Sequence, residues 1–262
     1  MAPSAQLLAF QHRLLAWYRI HQRNLPWRKT RDPYKILVSE VMLQQTQVDR
    51  VIPKYHQFLE RYPTVKALAQ AKIQELRQLW YPLGYNIRPL RLRDIARRTV
   101  REYDGQIPDS YEGLLAMDGI GRYTAGAVLS FAYEKDAPIL DTNVARLLSR
   151  YFGVSAQRKT GRLQRRLWQL AEAVIPKGNA YDINQAMMDF GALICTARKP
   201  KCGGCALRRS CCAYPHEYAE TEVARPSRDR DHEARRPHPG RPTRERASGR
   251  LLGIPWRQAG RR

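Results

Sequence analysis

The sequence predicts an all-α protein, and three observations carry that prediction. Apolar residues recur at spacings of three and four through most of the chain, no stretch sustains alternation of period two, and the periodic stretches are separated by turns bearing Pro and Gly. With 43% hydrophobic residues over 262 positions, the chain can bury a core, which excludes a wholly disordered basic protein.

The elements follow in order. From Leu7 to Ile20 the residues Leu7, Phe10, Leu14, Leu15 and Tyr18 mark one face of an amphipathic helix. Asp32-Pro33 opens a second helix that runs through Ile36, Leu37, Val41, Met42 and Leu43, with Pro confined to its first turn. Further helices are expected over Val48–Tyr62, Thr64–Ala69, Ile73–Trp80, Arg88–Tyr103, Ser110–Met117, Tyr123–Tyr133, Thr142–Tyr151, Arg162–Val174 and Tyr181–Ile194. Their separators include Pro63, Pro82-Leu83-Gly84, Gly119-Ile120-Gly121, Gly153 and Pro176-Lys177-Gly178. After about Tyr214 the composition changes: from His216 to Arg262 there are twelve Arg, seven acidic residues and few aliphatics. Such a segment buries too little apolar surface to offset chain entropy, so residues 215–262 are expected to form a disordered basic tail.

The chain carries 46 Lys and Arg against 24 Asp and Glu, a net charge of +22. A surplus of that size attracts polyanions, nucleic acid first among them. No run reaches the roughly 18 uncharged apolar residues needed to cross a bilayer, and Met1 to Phe10 lacks the pattern of a signal peptide. The expectation is a soluble, cytoplasmic monomer.

All five cysteines lie between Cys195 and Cys212. That crowding and the odd count fit a disulfide framework poorly. Cys195, Cys202, Cys205 and Cys211 have six, two and five residues between them, and four soft thiolates can close either a zinc site or an iron–sulfur cluster. The spacing alone leaves both open. Arg198, Lys199, Lys201, Arg208 and Arg209 stand among these ligands, giving the loop a positive surface suited to phosphates.

Two carboxylates draw attention on chemical grounds. Glu40 interrupts the apolar helix Ile36–Leu43; an acid in such a pocket keeps its proton to higher pH, while an exposed position would make it unremarkable. Asp141 precedes Thr142-Asn143-Val144, where Asp serves equally well as a helix N-cap. Between them Met117-Asp118-Gly119-Ile120-Gly121-Arg122-Tyr123 joins two helices through a Gly-x-Gly turn whose amides can approach a phosphate.

The order of that turn, the segment Ile139–Val144 and the four cysteines resembles the helix–hairpin–helix DNA glycosylases. Residues 25–211 are similar to the MutY-like adenine glycosylases, through Leu25-Pro26-Trp27-Arg28, Asp32-Pro33-Tyr34, Ser39–Val48 and Asn184-Gln185-Ala186-Met187-Met188-Asp189. The resemblance implies a [4Fe-4S] cluster on Cys195, Cys202, Cys205 and Cys211, and double-stranded DNA with a mismatched or damaged base as partner, on the nucleoid of a bacterium. It implies Glu40 as the acid that protonates adenine at N7 and Asp141 as the carboxylate that stabilises the oxocarbenium-like sugar, with Tyr123 and Asn143 holding the Asp and the reacting nucleotide. Gln45 matches the residue inserted into the helix, and Trp27, Arg28, Leu43 and Gln185 match the base pocket. Gly119 and Gly121 match the DNA-gripping hairpin. It also implies two lobes within residues 1–214: one of about 48–133 containing the hairpin, and one from 1–47 plus 138–214 containing the cluster.

In bifunctional relatives of the endonuclease III kind, a lysine after the hairpin forms a Schiff base. Tyr123 stands there, and a phenol cannot form that imine, so the expected product is an abasic site without strand cleavage. Departures from the pattern are Pro82-Leu83-Gly84-Tyr85-Asn86 for Gly-Leu-Gly-Tyr-Tyr, Asp118 for Pro and Thr142 for Gly. No Nudix-like C-terminal domain is present in the 262 residues, from which weakened selection for adenine opposite 8-oxoguanine is expected. The competing readings are a thymine or uracil mismatch glycosylase, a glycosylase for deaminated purines, a non-catalytic damage-binding protein, and an electron-transfer protein.

Overall fold

A computed structural model describes residues 4–154 and 161–214. The described residues form eleven α-helices and no strand: α1 (Ala5–His21), α2 (Pro33–Leu43), α3 (Val48–Arg61), α4 (Val65–Ala69), α5 (Ile73–Trp80), α6 (Arg88–Glu102), α7 (Tyr111–Leu115), α8 (Arg122–Phe131), α9 (Thr142–Phe152), α10 (Gly161–Ala173) and α11 (Ala180–Leu193). The all-α expectation holds there, and each expected helix exists within one or two residues of its anticipated ends. The expectation for residues 215–262 lies outside the described residues.

The ends are set by local chemistry. Ser4, Asp32, Thr64, Ser110 and Asp141 each cap a helix by accepting a backbone N–H with the side chain, and Gly153 closes α9 with φ 66°. Such caps satisfy amides that have no partner inside the helix.

Two apolar cores follow from the stripes on these helices. The first gathers Val51, Tyr55, Phe58, Leu68, Leu76, Trp80, Leu92, Leu114 and Val128 with Leu25, Trp27, Leu37, Val38, Val41 and Met42. The second joins Phe10 and Leu14 of α1 to Ile139, Val144, Leu147, Leu148, Tyr151, Trp168, Ile183, Met187 and Phe190. Each fully buried large side chain contributes about 1.5–3 kcal/mol. Helix α2 serves both cores, since Ile36 belongs to the second and its other apolar residues to the first. Of residues 25–43, Ile36 alone reaches the second core, and Leu25, Trp27, Tyr34, Leu37, Val38, Val41 and Met42 belong to the first.

The helix that carries Glu40 packs against α3, α6 and α8, while α11 packs against α1, α8 and α9. Two glycines make the decisive close approaches. A Cβ on Gly126 of α8 would overlap the carbonyl oxygen of Pro138 and stand 3.0 Å from the Tyr111 hydroxyl; one on Gly191 of α11 would stand 2.9 Å from Asn143 Cβ. Buried Asn184 adds hydrogen bonds from Nδ2 to Ser130 Oγ (3.0 Å) and to Ala137 O (2.8 Å). These contacts draw the extended segment after Ala137 between α8 and α11, which sets the start of α9.

Gly126→Ala and Gly191→Ala are therefore expected to destabilise the fold by about 1–3 kcal/mol, the usual cost of overpacking. Denaturant unfolding checks this, with Gly121→Ala as control, since a Cβ there meets nothing within 4 Å.

Candidate active site

A cleft of about 2880 Å³, counting the solvent in its mouth, opens beside α2, α8, α9 and α11. Its walls include Trp27, Arg28, Glu40, Leu43, Gln45, Tyr123, Asp141, Asn143 and Gln185. Nine residues separated by up to 158 positions in sequence thus share one cavity. Gly119 and Gly121 are exposed on the turn between α7 and α8 and do not line it.

Glu40 projects from the last two turns of α2 and is only 4% exposed. Burial pushes its carboxyl up to about 7, and the nearby Asp141 charge acts in the same direction; a hydrogen bond with Tyr123 and the charge of Arg28 oppose it. Tyr123, one residue into α8, is raised well above the ordinary phenol range, first by burial and then by Glu40 and Asp141. The Tyr123 hydroxyl also lies 3.6 Å from the Met188 sulfur.

Asp141 fulfils the cap role and faces the cleft as well. Its Oδ1 accepts from Val144 N (2.7 Å) and its Oδ2 from Asn143 Nδ2 (2.9 Å). Asn143 is held in turn by Arg146, whose Nη2 donates to Asn143 Oδ1 (2.8 Å) and Gly191 O (2.7 Å), and whose Nε donates to Cys195 O (2.8 Å). One guanidinium thus ties the Asp141–Asn143 pair to the backbone of the cysteine loop.

Arg28 lines the cleft, but most of its donors are committed. Nη1 and Nη2 reach the two oxygens of Asp189 at 2.8 and 2.7 Å, and Arg23 adds a 2.7 Å bond from Nε. The Asp189 side chain is fully buried. Burial alone would raise its carboxyl; the Arg28 hydrogen bonds and the charges of Arg28 and Arg23 outweigh that and hold it below the ordinary carboxylate range. The sequence placed Asp189 in a motif without a role and did not single out Arg23 or Arg146; only the pairing of distant segments discloses them. Gln185 is buried in the cleft wall with Oε1 lacking a hydrogen-bond partner. Gln45 is exposed in the loop after α2, with φ 54° in the left-handed region.

The four cysteines also converge. Cys195, Cys202, Cys205 and Cys211 line one small cavity of about 30 Å³, whose remaining wall includes Leu147, Tyr151, Phe190, Ile194 and Leu207. Burial pushes the Cys205 thiol up to about 11 and raises Cys211 as well. Arg150 donates to Cys195 Sγ at 3.6 Å and Cys212, exposed, stands outside the set. Arg198, Lys199, Lys201, Arg208 and Arg209 around it are all exposed. The donor chemistry and the apolar cradle fit an iron–sulfur cluster. Among the described residues no three His, Cys, Asp or Glu side chains are grouped as a metal site.

Adenine DNA glycosylase of Buchnera aphidicola subsp. Schizaphis graminum is 39% identical over 209 residues, 79% of this chain and 60% of that protein. The chain thus spans less than two thirds of that relative. Thymine-DNA glycosylase of Aeropyrum pernix is 39% identical over 213 residues, 80% of this chain and 96% of that protein. The solved structure of a thermostable thymine-DNA glycosylase superimposes with a TM-score of 0.75 at 33% identity, covering 80% of this chain and 97% of that one. Residues 38–173 match the HhH-GPD superfamily base excision DNA repair proteins. The chain belongs to that family.

Proposed function

We propose that this protein is a monofunctional DNA glycosylase that hydrolyses the N-glycosidic bond of adenine mispaired with guanine or 8-oxoguanine, leaving an abasic site. The observation that carries the reading is the pairing, in one cleft, of a buried acid with its pKa near 7 and a second carboxylate fixed by two hydrogen bonds. Adenine leaves poorly as an anion, so protonation at N7 by Glu40 converts it to a good leaving group. Positive charge then develops on the sugar, where Asp141 stabilises it, and Glu40 in its carboxylate form takes a proton from the attacking water. Two carboxylates with separate protonation duties follow the logic of glycoside hydrolysis. The open acceptor of Gln185 supports the base assignment, since it can accept a hydrogen bond from the N6 amino group of adenine and leaves N7 to Glu40. The named adenine glycosylases among its relatives support it further.

A second reading, removal of thymine or uracil from mismatches with guanine, is favoured by one observation: the chain covers 91% and 96% of two relatives named for those bases.

Within this proposal Cys195, Cys202, Cys205 and Cys211 hold a [4Fe-4S] cluster. Its contribution when bound is to fix the basic loop, whose exposed Arg and Lys side chains grip phosphates. No step of base release runs through it.

Five outcomes test the reading. In a panel of duplexes carrying A, T, U or hypoxanthine opposite G or 8-oxoguanine, alkali-labile sites are expected at A alone; cleavage at T or U opposite G, with A intact, would transfer the assignment to the second reading. Borohydride is expected to trap no protein on the DNA, because Tyr123 offers no amine. Single-turnover excision is expected to fall as pH rises through about 7, where Glu40 gives up the proton it must donate. Glu40→Gln is expected to lower the rate by about 10²–10⁴-fold. It is also expected to remove the decline in stability that wild type shows as pH rises from the ordinary Glu range towards 7, since a glutamine has no charge to bury.

A further inference from the structure

Arg88 opens α6 and is 4% exposed, yet no carboxylate is among its hydrogen-bond partners. Nη1 donates to the carbonyls of Val41 (3.0 Å), Met42 (3.0 Å) and Gln44 (2.6 Å). Nη2 donates to Thr46 Oγ1 (3.1 Å), Leu83 O (3.0 Å) and Gly84 O (3.1 Å). Two protons on each nitrogen serve three acceptors, so the bonds are shared. The guanidinium carbon also lies 5.4 Å from the ring centroids of both Trp80 and Tyr85.

These six acceptors, five carbonyls and one hydroxyl, belong to three separate pieces of the chain: the C-terminal end of α2, the loop of residues 44–47, and the loop of residues 81–85. Both loops are exposed at their tips, with Gln44, Gln45 and Gln47 on one and Tyr81 and Tyr85 on the other. Gln45 (φ 54°) and Tyr85 (φ 48°) occupy left-handed backbone, a conformation that persists only where the surroundings over-determine it. At Gln45 the surroundings are Arg88, which holds the carbonyl on one side and the Thr46 hydroxyl on the other. A cation at the end of α2 is further favoured by the helix dipole.

We propose that Arg88 is a positioning residue for base extrusion: it locks the two loops into one wedge and fixes that wedge to the helix carrying Glu40. The inference rests on the reading above, in which Gln45 enters the DNA helix. A loop that holds the base stack open has to withstand the tendency of the stack to close, and loop 44–47 alone spans only four residues between α2 and α3. Clamped to α2 by Arg88, the inserted loop and the acid move as one body. A lysine cannot replace the fork, because a single nitrogen cannot occupy both donor positions.

The test compares wild type with Arg88→Lys, Arg88→Met and Thr46→Val on two substrates: a duplex containing the mispaired adenine, and a duplex in which that adenine is bulged and has no partner to leave. A 2-aminopurine next to the target reports unstacking independently of excision. The expected result is that the ratio of duplex to bulged excision falls about 10- to 100-fold in both Arg88 variants. Thr46→Val is expected to fall less in the same direction, and the 2-aminopurine rise to slow in parallel. Equal losses on both substrates, or an unchanged ratio, would overturn the proposal by reducing Arg88 to general support. If Arg88→Met does not fold, Arg88→Lys and Thr46→Val decide. If wild type releases no adenine, the functional reading fails by itself, and the 2-aminopurine rise still judges the clamp: slowed in the variants it stands, unchanged or absent in wild type it falls.

Discussion

A carboxyl group kept dry on α2 is the constraint around which the rest of the structure is arranged. Water stabilises a carboxylate, so an acid that must still hold its proton near neutrality has to be removed from water. Glu40 achieves this through the burial of nearly all of α2, from Tyr34 to Met42. A helix buried on so many sides cannot belong to one core alone, and α2 packs into both. Its placement is consequently fixed from two directions, which a catalytic proton donor requires and an ordinary surface helix does not.

The same economy governs Asp141. The N-cap hydrogen bond to Val144 and the bond from Asn143 satisfy both carboxylate oxygens, so the group that stabilises the start of α9 is also oriented into the cleft. Its position depends on two absent methyl groups, at Gly126 and Gly191, whose helices close on the chain to either side of it. Structure and chemistry are therefore not separable at this residue. A substitution there removes a cap, worth about 1 kcal/mol, together with the charge.

Much of this was legible in the sequence, for a physical reason. Helices announce themselves through periodicity and caps, which are local, and each expected helix among the described residues was found. Glu40 was legible because an acid in an apolar run violates the pattern around it, and the cysteines because they are crowded into eighteen residues. The parts that were not legible depend on contacts between distant segments. Asp189 lies 161 residues from Arg28, and nothing local distinguishes its carboxylate from an exposed one. Arg88 is harder still, since its partners are mainly backbone carbonyls, which every residue carries and no sequence pattern marks.

The buried arginines also refine the meaning of the +22 charge. Arg28 and Arg88 are cations spent inside the protein, and they are stabilised by opposite means. Arg28 is neutralised by Asp189, so breaking that pair would leave an isolated buried charge, at a cost of about 3–5 kcal/mol. Arg88 has no counter-ion among its partners and is held by oxygen dipoles and the faces of the Trp80 and Tyr85 rings, which leaves its charge unneutralised beneath the two exposed loops. Beside a polyanion that difference matters. A neutralised pair contributes little field at the surface, whereas an uncompensated cation under a thin loop attracts phosphate even though solvent does not reach it. The rigidity of the wedge and the attraction of its surroundings for DNA thus have a common source in one side chain.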